Sequence, residues 1–223
     1  RAVAKVQSPV AYGRGVMPFG IMSAEPSGTS PFGYPFGATV TLKQPGGKGE
    51  SGNFQFLALT DPPGGKGDAN DITGPKGALA NGGDPDPVYV NRPYYPKTGV
   101  NGIQVSSSLN SWIAGDTCRF QDVARLEDDG YVTLLDEDCH RLIVCPIIVD
   151  PGPPVVYNWT EMQGTSDKAL VIGLAYFFIE DVGTSGKECY VTGRFVKPIS
   201  PKDDVMTWGA IDPYGAIAYR LAE

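Results

Sequence analysis

The sequence predicts an all-β fold, an antiparallel β-sandwich of jelly-roll-like or Greek-key type with little helix. Segments of about six to ten residues alternate between apolar and polar residues or are apolar throughout, and Gly, Pro, Asn or Asp residues bound them. The 223 residues include 29 glycines and 20 prolines, a composition that favours turns over long helices. Because little helix is left to cross between strands, we expect neighbouring strands to pair antiparallel.

The amino-terminal half contains three predicted strands. Ala2 to Val6 is a short alternating segment, and residues 1–14 are interpreted as an arm that precedes a single sandwich domain over residues 15–223. Ala38 to Lys43 and Phe54 to Leu59 flank a loop with too many glycines to continue either strand, so we expect a hairpin.

The carboxy-terminal half contains the predicted core. Only Gln121 to Glu127 has a helical pattern. Leu142 to Val149 and Ala169 to Ile179 are almost continuously apolar, as expected of central strands. Tyr190 to Lys197 and Ala216 to Leu221 alternate and are predicted to be two further strands.

Residues 60–111 have a different composition, with Asp, Asn, Gly and Pro at short intervals and no strong periodicity. A stretch of this length is too long for an ordinary loop. We interpret it as a long insertion folded over one end of the sandwich.

The charge composition excludes several classes of partner. Lys and Arg total 18 against 25 Asp and Glu, which gives a net charge of −7. An acidic chain is a poor ligand for nucleic acid or for anionic membranes. No stretch of 18 apolar residues is present, so we expect no direct membrane span in this chain.

The four cysteines, Cys118, Cys139, Cys145 and Cys189, predict two structural disulfides and an extracellular or cell-surface location. A strand over 139–145 would place its two cysteines about 20 Å apart, well beyond the bonding limit of about 7 Å between α-carbons. A turn centred on Asp128 and Asp129 would instead place Cys118 opposite Cys139, leaving Cys145 to pair with Cys189.

Several residues are candidates for binding. The aspartates of the insertion are the best candidate ligands for Ca²⁺, although turns explain them equally well: Asp68, Asp71, Asp84 and Asp86. Asn158 begins an Asn-Trp-Thr glycan acceptor triplet. Tyr94, Tyr95 and Trp112 are considered as a sugar-stacking platform, with loop packing as the alternative.

No catalytic residue is predicted, and we expect the protein not to be an enzyme. His140 is the only histidine, and it follows Cys139 directly. Adjacent residues of an extended segment point to opposite faces, which is unsuitable for a nucleophile and its base. A surface or interface position is expected for His140 instead.

An ordered series of segments resembles the extracytoplasmic part of TadG-like Tad/Flp pilus-assembly proteins. The segments that carry this resemblance are Val16 to Ile21, Thr41 to Lys43, Gly52 to Phe54, Gly115 to Thr117, Pro146 to Asp150, Val171 to Glu180, Gly193 to Val196 and Tyr219 to Leu221. The resemblance spans about residues 15–223, and in that family a hydrophobic amino-terminal helix precedes this region. Cys118 to Gln121 replaces the Pro-Gly-Asn segment of the family, so no role is transferred to that loop.

The resulting hypothesis is an extracellular structural protein, a pilus- or filament-associated subunit that forms a homo-oligomer or homopolymer and meets other pilus or surface proteins. Its assembly segment would be Ala2, Val3, Ala4 and Val6, which would add as a strand to a neighbouring subunit. Pairing of this segment within its own chain is the alternative. The rival function is a calcium-dependent or carbohydrate-binding surface adhesion module.

Overall fold

The computed structural model describes residues 3–7, 12–13, 15–24, 31–43, 54–59, 77–84, 88–90, 92–97, 102–149, 168–185, 188–199 and 218–222. These residues are mostly β-strand, with two α-helices among them. The helices are α1 (Gly102–Trp112) and α2 (Phe120–Val123). The strands are β1 (Val3–Gln7), β2 (Tyr12–Gly13), β3 (Phe19–Met22), β4 (Thr39–Lys43), β5 (Phe54–Leu57), β6 (Val88–Tyr89), β7 (Pro93–Tyr94), β8 (Pro96–Lys97), β9 (Ala124–Leu126), β10 (Val132–Leu134), β11 (Leu142–Val149), β12 (Ala169–Ser185), β13 (Glu188–Pro198) and β14 (Ala218–Ala222).

One mixed eight-stranded sheet organises the molecule. Its strand order is β4-β13-β12-β11-β3-β5-β8, and β7 pairs with β12 outside this path. The β3–β11 pair is parallel, whereas the other pairs in this sheet are antiparallel. Three two-stranded sheets, β1–β14, β9–β10 and β2–β6, lie outside it. An all-antiparallel arrangement is therefore wrong, and the open sheet does not confirm a sandwich.

The central strands have a core on each of their faces. Alternate residues of β11 belong to different clusters, with Ile143 and Ile147 in one and Val144 and Ile148 in the other. The first cluster, the helix-side core, includes residues of α1, and the second, the hairpin-side core, includes residues of α2, β9 and β10. A strand buried on both faces needs a continuous apolar run, which explains the composition of β11 and β12.

The predicted central strands are confirmed. β11 covers Leu142–Val149 as expected, and β12 begins at Ala169. β12 continues beyond Ile179 to Ser185 and forms a long hairpin with β13, whose irregularities include a register shift between Ile179 and Asp181. The last five residues of β12, 181–185, include Asp, Gly, Thr and Ser, which are typical of turns. The sequence pattern therefore predicted the end of the strand too early.

The predicted hairpin between residues 38–43 and 54–59 is wrong. β4 pairs with β13 at one edge of the sheet, and β5 pairs with β3 and β8 towards the other edge. The connection between β4 and β5 is ten residues long, from Gln44 to Asn53, and a connection of this length does not force its flanking strands to be neighbours.

The helix predictions also need correction. α1 lies almost entirely in the region interpreted as a long insertion without strong periodicity, and its buried Val105 and Leu109 have helical spacing. Its serines and asparagine dilute that apolar pattern, which is why periodicity alone missed it. The predicted helix over 121–127 is the single turn α2, which β9 follows at Ala124. Within the described ranges, no helix combines the length and apolar character that crossing a membrane requires.

A close approach between two glycines fixes the start of the main sheet. Gly83 has a φ of +116° and Gly15 a φ of +72°, and a Cβ at Gly83 would collide with the backbone of Gly15. Backbone hydrogen bonds of 2.9 Å run from the Gly15 N–H to the Asp84 carbonyl and from the Asp84 N–H to the Val16 carbonyl. Glycine is required here because both the conformation and the space exclude a side chain.

Candidate functional site

An open cleft of about 580 Å³ lies beside the carboxy-terminal end of α1. Its lining contains four aspartates, the exposed His140 and the Cys118–Cys139 disulfide. The aspartates are Asp116, Asp122, Asp136 and Asp138. These four carboxylates therefore meet outside residues 60–111, the insertion in which the calcium ligands were predicted.

The disulfide fixes one wall of the cleft. Cys118 follows the turn after α1, and Cys139 precedes β11, with 6.4 Å between their α-carbons. The predicted pairing of Cys118 with Cys139 is thus confirmed. The turn between β9 and β10 is one residue longer than expected, because Leu126 lies opposite Val132 and the Glu127 N–H donates to the Tyr131 carbonyl at 2.8 Å. Gly130, with a φ of +82°, accommodates this longer turn.

Local backbone hydrogen bonds hold three of the four carboxylates. Asp116 accepts from the Cys118 N–H at 2.9 Å, and Asp136 accepts from the Asp138 N–H at 3.0 Å. Asp122 accepts from the Arg119 N–H at 3.0 Å at the start of α2. These contacts are turn and helix-capping bonds, which explain the aspartates structurally.

Asp116 also lies close to the disulfide. One of its carboxylate oxygens is 2.7 Å from the Cys118 sulfur, and ligand atoms of Asp116, Cys118 and Cys139 lie within 4.8 Å of one another. Metal binding by cysteine requires the thiolate. Since the two sulfurs are bonded to each other, this group does not offer a thiolate set to a metal.

His140, which lines the cleft, packs against Trp112. The two rings stack with 4.3 Å between their centroids, and the Trp112 indole N–H donates to the His140 carbonyl at 2.9 Å. The His140 Nδ1 atom lies 3.2 Å from the Trp112 carbonyl oxygen. His140 is exposed, in agreement with the predicted surface position.

The predicted second disulfide is wrong, because Cys145 and Cys189 are free and buried. Cys145 is on β11 and Cys189 is on β13, which flank β12 on opposite sides. Their partners on β12 are Ala175 and Thr184, which are nine residues apart. That offset corresponds to about 30 Å of extended strand, far beyond disulfide reach. Burial raises the pKa of both thiols, which disfavours the nucleophilic thiolate.

The predicted metal ligands do not form the described cleft. Asp84 is buried at the Gly15–Gly83 approach, whereas Asp68, Asp71 and Asp86 lie outside the described residues. Asn158, the predicted glycan acceptor, also lies outside them. The calcium and glycan predictions at these positions remain predictions.

The sugar-stacking platform is not available as predicted. Tyr94 is fully buried, and its hydroxyl oxygen accepts from the Tyr89 N–H at 2.8 Å. The Lys168 ammonium lies over the Tyr95 ring at 5.1 Å from its centroid, and Trp112 stacks on His140. The alternative, that these aromatics pack the loops, fits these contacts.

The predicted assembly segment is a strand paired within its own chain. In β1, Val3, Ala4 and Val6 lie opposite Ala222, Leu221 and Tyr219 of β14. Ala2 lies outside the described residues. The alternative of intrachain pairing is thus the arrangement observed, and contact with a second subunit remains a prediction.

Comparisons with protein-family models, with curated proteins and with solved structures found no match to this chain.

Asp116 and Asp122 were not singled out from the sequence as members of a cluster. Asp136 and Asp138 are separated from them by the β9–β10 hairpin and converge on them through the disulfide. The signal that could have found the cleft is the predicted Cys118–Cys139 bond, because each of these cysteines has an aspartate within two residues.

Proposed function

We propose that this chain is a non-enzymatic structural protein of the bacterial cell surface, a pilus- or filament-associated subunit that self-assembles through strand or edge contacts. The observation that carries the proposal is the ribbon formed by β1 and β14. Within the described part of the chain, neither strand pairs with any third strand. In the proposed assembly, a strand from a neighbouring subunit pairs with the second edge of one of these strands through main-chain hydrogen bonds.

Two further features support this proposal. The Cys118–Cys139 disulfide is compatible with an oxidising location outside the cytoplasm. Gly115 to Thr117, part of the resemblance to TadG-like proteins, forms the turn at the cleft. In this proposal the two cores flanking the central sheet are the layers of a sandwich-like extracellular domain.

Electron microscopy of the purified protein tests the proposal. Wild-type protein should form polymers, and a deletion of residues 1–8, which removes β1, should leave folded monomers. A deletion of residues 1–2 is the matched control, because it leaves Val3–Gln7 in place. Polymers of wild-type appearance after the longer deletion, or wild-type protein that never polymerises, would contradict the proposal.

The acidic cleft favours a second candidate function, a calcium-dependent or carbohydrate-binding adhesion module. Four aspartates line the cleft, and oxygen ligands are those that Ca²⁺ prefers. For this candidate, Ca²⁺ should raise the melting temperature of wild-type protein, and the change Asp136→Asn with Asp138→Asn should abolish the increase. An identical melting temperature with Ca²⁺ and with chelator would reject calcium dependence.

A further inference from the structure

The Cys118–Cys139 disulfide belongs to a group of metal-ligating atoms that extends beyond its two sulfurs. Ligand atoms of Asp116, Cys118 and Cys139 lie within 4.8 Å of one another, and a carboxylate oxygen of Asp116 is 2.7 Å from the Cys118 sulfur. While the sulfurs are bonded to each other, the group offers a metal only this carboxylate. Reduction of the bond would add two sulfur ligands to it.

The reduced group would favour a cation on electrostatic grounds. Two thiolates and a carboxylate would place three negative charges at close range, and three further aspartates line the same cleft. Each like charge at such a distance disfavours the ionised form of its neighbours. A divalent cation removes this conflict, because it attracts all three ligands at once.

Backbone hydrogen bonds hold these ligands in place without help from the sulfur–sulfur bond. The Asp116 N–H donates to the Ile113 carbonyl at 3.1 Å, and the Cys118 N–H donates to the Asp116 carboxylate at 2.9 Å. The Cys139 carbonyl accepts from the Leu142 N–H at 2.9 Å, where β11 begins. The α-carbons of the two cysteines are 6.4 Å apart. Since two sulfurs on one tetrahedral Zn²⁺ lie only about 3.8 Å apart, side-chain rotation is sufficient to bring both to one ion.

We propose that the reduced form of this group is a binding site for Zn²⁺, with the Cys118 and Cys139 thiolates and an Asp116 carboxylate oxygen as ligands. Sulfur ligands favour Zn²⁺ over Ca²⁺ and Mg²⁺, which prefer oxygen. Asp116 and Cys118 are half-buried and line the open cleft, which gives the ion a path of entry and leaves its fourth position to water. The proposal is independent of the assembly function and of calcium binding in the same cleft.

The disulfide and the metal site are alternative states of the same two sulfurs. A dithiol reductant opens the bond by exchange: one of its thiolates attacks a sulfur, its second thiolate resolves the mixed disulfide, and it leaves as its own disulfide. Two electrons and two protons thereby pass from the dithiol to Cys118 and Cys139. Binding of Zn²⁺ to these thiols then releases both protons. A newly made chain, whose disulfide has not yet formed, needs no reductant to reach the same state.

Binding of Co²⁺ tests the site, because Co²⁺ enters zinc sites and its bonds to thiolates give a charge-transfer absorption band. The change Cys145→Ala with Cys189→Ala provides the background, so that Cys118 and Cys139 supply the only thiols. After reduction and removal of the reductant without oxygen, this protein should bind a single Co²⁺ per chain, which Zn²⁺ should displace. The oxidised protein should give no charge-transfer band.

Asp116 and Asp136 provide a matched pair of variants. Each carboxylate lines the cleft and accepts a hydrogen bond from the backbone N–H two residues later, but of the two only Asp116 belongs to the metal-ligating group. Asn keeps an acceptor for that bond and removes the charge. Asp116→Asn should therefore weaken Zn²⁺ binding roughly tenfold or more, whereas Asp136→Asn should leave it nearly unchanged. Cys118→Ser should remove the binding.

Three results would overturn the proposal. One is a reduced protein that shows no charge-transfer band with Co²⁺. Another is an equal loss of Zn²⁺ affinity in Asp116→Asn and Asp136→Asn, which would assign the ion to the acidic cleft as a whole. The last is an equal affinity of native and urea-denatured reduced protein, because binding would then belong to free cysteines and not to the fold.

Thermal unfolding gives an independent readout. Zn²⁺ should raise the melting temperature of the reduced protein, because the ion binds the folded chain more tightly than the unfolded one. It should leave the melting temperature of the oxidised protein unchanged. An increase of equal size in both forms would contradict thiolate ligation.

Discussion

At the scale of single residues, burial decides what Cys145 and Cys189 can do. Both side chains have a relative exposure of 0% and belong to the helix-side core. Removal from water disfavours the thiolate, which raises the pKa of Cys189 to about 12 and also raises that of Cys145. The two thiols therefore act as small apolar groups of the core.

This burial predicts unreactive thiols in the folded protein. At pH 8 a thiol-specific disulfide reagent should label native protein far more slowly than a free cysteine, and it should titrate two thiols per chain after denaturation without reductant. Native labelling at the rate of free cysteine would show that at least one of these side chains is accessible.

The same shifts predict how stability depends on pH. An unfolded cysteine has a pKa of about 8.5, so above that pH the unfolded chain releases protons that the folded chain retains. The free energy of unfolding should therefore fall as the pH rises from about 8.5 towards 12, with no contribution from these groups below that range. Urea unfolding at several pH values measures the slope. The double change Cys145→Ala with Cys189→Ala should reduce it, and an unchanged slope would contradict this assignment.

At the scale of elements, α1 shows how one face of a helix supports the sheet. Val105 and Leu109 are completely buried in the helix-side core, whereas Ile103 is 57% exposed. The two buried residues are four positions apart and therefore share one side of the helix. α1 packs against β12 and β13 and so covers one face of the sheet.

Truncation on the two faces of α1 should have unequal effects. Leu109→Ala should lower the free energy of unfolding by about 2–5 kcal/mol, because it removes a fully buried side chain and leaves a cavity. Ile103→Ala is the matched control in the same helix and should change stability by less than about 1 kcal/mol. The urea midpoints of the two variants give the comparison, and equal losses would mean that α1 does not pack on the sheet as described.

At the scale of the whole molecule, the Cys118–Cys139 bond joins the segment after α1 to the segment that enters the central sheet at β11. Its cysteines are 21 positions apart and enclose α2 and the β9–β10 hairpin. A crosslink that closes such a loop restricts the unfolded chain and so stabilises the folded one. The bond also defines the cleft, since both cysteines line it.

Removal of this disulfide should cost about 3 kcal/mol of folding free energy. The double change Cys118→Ala with Cys139→Ala should lower the urea midpoint and make it insensitive to reductant. Wild-type protein should shift towards the variant when a thiol reductant is added, whereas Cys145→Ala with Cys189→Ala should keep its response to reductant. The predicted contribution would be contradicted by a wild-type urea midpoint that does not change with reductant, provided that labelling shows Cys118 and Cys139 to be reduced.

Local patterns were sufficient for the strongest elements. The apolar runs at residues 142–149 and 169–179 predicted the two central strands, because a strand covered on both faces must be apolar at successive positions. The Cys118–Cys139 pairing also followed from the sequence, since a turn near Asp128 and Asp129 brings their segments together. Of the acidic cleft, the sequence predicted the Cys118–Cys139 bond in its wall but not the convergence of its four aspartates.

By itself, then, the sequence determined that the chain is rich in β-strands, which two segments form its centre and that Cys118 bonds to Cys139, whereas its prediction for Cys145 and Cys189 was wrong. Tertiary structure decided that β4 and β5 pair with other strands and not with each other, and that β3 pairs with β11 in parallel. It also decided that β1 pairs with β14, which lies more than 200 residues later in the sequence. Strand propensity depends on a residue and its neighbours, but the choice of partner depends on how all the apolar faces are buried together. For the same reason, the proximity of the four aspartates of the cleft depends on the tertiary arrangement of their segments, which the disulfide joins.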